Sequence, residues 1–149
     1  MLSRMLALAV QNPDNLRVAA DAERLANAVY AFTREFPREE RFGLAAQMRR
    51  AAVSIGSNIF EGCGRQGKRG TESNASLRSF LYIAHGSSSE LLFQLRIARR
   101  QQMGDPAKAE LVAKLLAVLQ GRLRRLIVSL TRRMQLHTAS EASVLTGPR

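Results

Sequence analysis

The chain has 149 residues, of a size for one domain, and its 46% hydrophobic content is enough for a real core. Formal net charge is +11, which favours a polyanionic partner, most often nucleic acid, through release of counterions from phosphates. The single cysteine, Cys63, excludes an internal disulfide and points to a reducing cytoplasm.

In chain order, Met1 to Val10 is apolar with Arg4 its only charge. It is too short to span a bilayer, and Gln11-Asn12-Pro13-Asp14 is no small-residue cleavage site, so residues 1–13 read as an N-terminal extension and no membrane partner is expected. Pro13 and Asp14 open a first helix, with Asp14 or Asn15 as N-cap. Its stripe is Val18, Ala22, Leu25, Val29, Phe32 and Phe36, alternating four and three apart until Pro37 ends it. After the charged connector Arg38–Gly43, a second helix carries Leu44, Met48, Ala51, Ile55 and Ile59 on one face and stops at Gly62. Gly62–Gly70 reads as a flexible basic loop.

A third helix starts near Thr71, with Glu72 in the first turn where the helix dipole favours an acid. Leu77, Phe80, Leu81, Ala84, Ser88, Leu91, Leu95 and Ala98 form its core face. At Gly104-Asp105-Pro106 the chain breaks, with Asp105 as the next N-cap and Pro106 at the first helical position. The fourth helix carries Val112, Leu116, Leu119, Leu123, Leu126, Leu130 and Met134. The bundle domain is expected over 14–137 and a disordered tail over 138–149, where Ser, Thr, Gly and Pro are frequent. No segment alternates with period two, so the expected fold is all-α, an antiparallel up-and-down four-helix bundle.

Charge is concentrated on the fourth helix. Leu111 to Leu136 holds six basic residues, Lys114, Arg122, Arg124, Arg125, Arg132 and Arg133, and no acid. Helical geometry sets Lys114, Arg125 and Arg132 on one line opposite the Leu stripe, flanked by Arg122 and Arg133. A solvated helix usually mixes signs to gain i,i+4 pairs; this one accepts like-charge repulsion, as a phosphate-tracking face does. The loop adds Arg65, Lys68 and Arg69. The third helix adds Arg78 and Arg96, in line with His85. Arg124 aside, these ten lysines and arginines are the candidate nucleic-acid contacts. Tyr82, Phe93 and Ile97 lie off the core stripe of the third helix, which points to burial against another subunit. Aromatic residues are 5% of the chain and mostly on core stripes, so backbone and shape recognition fits better than base stacking.

Several motifs carry weaker signals. Gly62-Cys63-Gly64-Arg65-Gln66-Gly67 matches a dinucleotide-binding glycine pattern, yet a helix precedes it where that chemistry needs a strand. Two histidines and one distant cysteine make no metal ligand set, and no cofactor is expected. Basic neighbours would lower the Cys63 pKa, but a small residue filling a turn is the role expected of it. Arg132 and His137 have the arginine, four residues, histidine spacing of some all-helical ribonucleases of the higher-eukaryote and prokaryote nucleotide-binding (HEPN) family, where the histidine serves as acid or base and the arginine stabilises phosphate. That enzyme reading ranks below a non-enzymatic one, with no catalytic residue. A scaffold for an acidic protein surface is the other alternative.

The segment Arg49-Arg50-Ala51-Ala52-Val53-Ser54-Ile55-Gly56-Ser57-Asn58-Ile59-Phe60-Glu61-Gly62, with Phe36-Pro37-Arg38-Glu39-Glu40-Arg41-Phe42-Gly43-Leu44 before it and Phe80-Leu81-Tyr82-Ile83-Ala84-His85-Gly86-Ser87 after it, resembles a known family. It is the four-helix-bundle family encoded in intervening sequences of bacterial large-subunit ribosomal RNA genes, itself similar to the accessory variability determinant of diversity-generating retroelements. The resemblance runs from about Leu16 to about Met134. It implies a barrel-shaped homopentamer with a basic surface, RNA or DNA as partner, and, by the retroelement relatives, a reverse transcriptase. Gly56 stands where that family carries proline, Phe60 where it carries a small residue, and His85 where it carries a base. Glu61 and Glu90, costly to bury alone, are expected to pair with Arg49 or Arg50.

Overall fold

The computed structural model describes residues 13–65 and 71–145. The described residues form four helices, α1 (Pro13–Thr33), α2 (Leu44–Gly64), α3 (Thr71–Arg100) and α4 (Pro106–Leu145), with a 3-10 turn at Arg38–Arg41 between the first two. No strand occurs among the described residues, so the fold is all-α. Each helix packs against two others: α1 and α3 each lie against both α2 and α4. None is long and apolar enough to cross a membrane. The N-terminal extension, apart from Pro13, lies outside the described residues.

The apolar stripes become the core because each repeats near the helical period and so faces one way. All six stripe residues of α1 and its turn are buried, Val18, Ala22, Leu25, Val29, Phe32 and Phe36, as are Met48, Ala51, Ile55 and Ile59 of α2. Leu77, Leu81, Ala84, Leu91 and Leu95 of α3 meet Val112, Leu116, Leu119, Leu123, Leu126 and Leu130 of α4 in the same cluster. Leu44, Phe80 and Met134, also expected in the core, are half-buried.

Two glycines are set by packing. A Cβ on Gly62 would stand 2.9 Å from Leu77 Cδ1 and Phe80 Cβ, so this residue lets α2 and α3 approach closely. It is not the helix stop expected of it: α2 continues to Gly64. Gly104 has φ +68°, and its Cβ would lie 2.8 Å from the Phe32 ring.

The turn before Gly104 is a Schellman motif. Gln102 takes positive φ, 54°. Its N–H donates to the Arg99 carbonyl (3.1 Å) while Met103 N–H reaches back to Ala98 (2.9 Å). Asp105 then caps α4 as expected, its Oδ1 accepting from Ala107 N–H at 2.8 Å, with Pro106 at the first position. α4 runs on past His137 to Leu145, where a disordered tail was expected to have begun. Residues 138–145 hold Ala, Glu and Leu, which favour helix, among the Ser and Thr that had marked a tail.

Candidate nucleic-acid interface

The outward face of α4 bears the basic row. Lys114, Arg125 and Arg132 are all exposed, as is Arg133. Among the described residues these four make no hydrogen bond or ion pair, so their charge is uncommitted. This follows from the seven- and eleven-residue spacings, which return to one side of a helix whose other side is Leu-filled. Arg96 of α3 is likewise exposed and uncommitted among the described residues.

Three other predicted contacts are engaged within the chain. Arg122 is only partly exposed and pairs with Asp21 of α1, whose carboxylate is 6% exposed and also takes Arg24 at 2.8 Å. Arg65, at the end of α2, pairs with Glu61 at 2.7 Å and lies over the Phe80 ring, 5.0 Å from its centroid. Arg78 is half-buried and makes a long contact, 3.4 Å, to Thr131 Oγ1 of α4. Lys68 and Arg69 lie outside the described residues.

The acids do not pair as expected. Glu61 takes Arg65 rather than Arg49 or Arg50, and Glu90 accepts from Gln94 Nε2 at 2.9 Å. Both are exposed, so neither needs a buried partner. Arg49 instead donates to Thr33 Oγ1 at 2.8 Å and stacks over Tyr30, 5.1 Å from the ring centre, tying α2 to the end of α1. Of the polar residues in segment 49–62, Ser54 reaches α3, its hydroxyl 2.9 Å from that of Ser87.

Two residues escaped the sequence reading. Asp21 sits on the α1 core face beside Ala22, and its arginine partner is 101 residues away, a separation no local pattern spans. Arg17 of α1 lines a cleft with Arg122 and Arg125 of α4. The four-residue spacing of Arg17 and Asp21, one face of α1, was the available sign.

Other chemistry finds little support in the geometry. Cys63 is buried, and desolvation raises its pKa to about 11, the opposite of the lowering expected from its basic sequence neighbours, which leaves an unreactive thiol. No group of three or more His, Cys, Asp or Glu is placed to hold a metal among the described residues. Gly62, Cys63 and Gly64 are helical, so the glycine pattern forms no phosphate-cradling loop after a strand. Arg132 and His137 lie on one continuous helix, where five residues turn through roughly 140°. His137 lies inside α4, eight residues before its end at Leu145.

Large apolar side chains remain exposed: Val53 and Phe60 on α2, and Tyr82, Ile83 and Phe93 on α3. Tyr82 and Phe93 were expected off the core; Ile97 is half-buried.

A family model described as "23S rRNA-intervening sequence protein" matches residues 14–125. The match takes in Arg65, Arg78, Arg96, Lys114, Arg122 and Arg125 and stops before Arg132 and Arg133, nine residues short of the expected Met134. No curated protein matches the chain.

Proposed function

Because the chain belongs to the 23S rRNA-intervening sequence protein family, we propose that it is a non-enzymatic, basic nucleic-acid-binding accessory protein, acting on RNA or DNA in the cytoplasm without strong sequence reading. The observation that carries this is the face of α4, free of acids from Leu111 to Leu136, where Lys114, Arg125 and Arg132 project to solvent with no partner among the described residues. Fixed cations at helical spacing suit a regular phosphate backbone.

The same reading has the chain form an antiparallel up-and-down bundle that assembles as a barrel-shaped homopentamer. Pairings such as Asp21 with Arg122 and Glu35 with Lys108 support opposite courses for α1 and α4. The exposed Tyr82, Ile83 and Phe93 support a further subunit as cover, since monomers rarely leave large apolar side chains grouped in water. A reverse transcriptase is the protein partner this reading admits.

The test is structured-RNA binding across a salt series, by filter retention. Arg125→Glu with Arg132→Glu should weaken binding by at least tenfold and reduce the slope of log K against log salt by about 2. Unchanged affinity removes the α4 face from the interface, and absence of binding at low salt overturns the nucleic-acid reading.

A further inference from the structure

We propose that the cleft between the start of α1 and the middle of α4 is a phosphate site that seats one phosphate group of a nucleic-acid strand. The proposal rests on the nucleic-acid reading above and goes beyond it to a defined pocket. The cleft has a volume of about 290 Å³ and is lined by Arg17, Val18, Arg122, Arg125, Leu126 and Ser129. Half of that lining is arginine, drawn from two helices. Cations that repel one another are thus gathered about a single hollow, an arrangement an anion relieves.

Arg122, Arg125 and Ser129 stand three and seven residues apart and so share the face of α4 turned to α1. The buried Val18 and Leu126 give the cleft apolar walls. Walls of low polarity strengthen each arginine's attraction for an anion compared with the open surface. The Ser129 hydroxyl adds a neutral donor.

Asp21 makes the site workable. It binds Nη1 of Arg122 and also holds Arg24. A guanidinium carries five N–H donors, so one ion pair fixes its plane and leaves others for a ligand. Asp21 is shared by Arg24 and Arg122, and Arg125 beside them has no acid among the described residues, so a positive surplus remains. Asp21 is therefore a positioning residue: it orients Arg122 without neutralising the cleft. Planar forks of this kind match phosphate oxygens two at a time. Arg125 belongs both to the cleft and to the outward row with Lys114 and Arg132, so a strand tracking that row passes over the opening.

Two probes test this on the full chain: inorganic phosphate, read by thermal shift against chloride at equal ionic strength, and a pair of RNA oligonucleotides with a 5′-phosphate or a 5′-hydroxyl, read by anisotropy. Arg17→Gln with Arg125→Gln removes two cleft cations, both from exposed side chains. Arg100→Gln with Arg124→Gln removes two exposed cations elsewhere. The cleft variant should lose the phosphate-specific shift and bind RNA at least tenfold more weakly than the control variant. Loss for both oligonucleotides assigns the cleft to an internal phosphodiester, and loss confined to the 5′-phosphorylated one assigns it to a strand end. A phosphate shift that survives in the cleft variant overturns the proposal, as does RNA affinity equal to that of the control. Equal affinity leaves the nucleic-acid reading standing, whereas a phosphate shift with no RNA binding by the parent protein refutes a strand as the occupant.

Discussion

Asp21 and Arg122 carry unequal burdens. The carboxylate is enclosed, whereas Arg122 and Arg24 reach solvent at 35% and 64% side-chain exposure. Removing the acid lets both arginines hydrate, so Asp21→Asn should cost only about 1 kcal/mol, the scale of a solvent-screened pair. Removing Arg122 strands a desolvated carboxylate with one exposed partner, so Arg122→Gln should cost more, about 2–3 kcal/mol. Urea unfolding of the two variants measures the asymmetry; equal losses would show that Asp21 is hydrated. This pair also marks what one-dimensional reading lacks. The basic row of α4 was legible because its spacing is local, but which of those arginines is answered by an acid depends on α1 lying alongside. Arg122 was read as a free contact for that reason. For Cys63, neighbouring charges were visible in sequence and burial was not, and burial is what sets its pKa.

The turn between α3 and α4 places a glutamine where left-handed backbone is required. Gln102 holds φ 54° to close the Schellman bonds to Arg99 and Ala98. A glycine adopts that conformation without a Cβ penalty, so Gln102→Gly should stabilise the protein by about 0.5–1 kcal/mol, read as a raised melting temperature. Gly104→Ala should do the reverse, by about 1–3 kcal/mol, because positive φ and the Phe32 ring both oppose a side chain. A melting temperature unmoved by either change would mean that this turn is not ordered in solution. Helix positions were readable because stripe and cap signals are local: Val18 to Phe36 gave the face of α1, and Asp105-Pro106 gave the start of α4. Helix ends were less so. Gly62 reads as a stop by residue type, yet α3 demands a Cβ-free surface there, and the chain satisfies that packing and continues to Gly64.

At the scale of the whole molecule, Tyr82 and Phe93 are 57% and 64% exposed on a helix whose opposite side is core. Each such ring, already partly covered, gains about 1–2 kcal/mol when fully covered. Tyr82→Asp with Phe93→Asp should therefore convert a multimer to monomer in light scattering while the helical circular dichroism persists. A parent protein that is already monomeric at micromolar concentration would show that this face has no copy of itself as cover. One dimension of the fold bears on how any partner is met. At 1.5 Å per residue, the 40 residues of α4 extend about 60 Å, against about 32 Å for the 21 of α1. From Arg132 to Ser140 no side chain is buried. α4 thus behaves as a ruler as well as a wall: the axial intervals between Lys114, Arg125 and Arg132, about 16 and 10 Å, are set by the helix. A stiff gauge cannot bend to its object, so selection among polyanions falls to their own shape, and strands already held at a matching pitch have the least to rearrange.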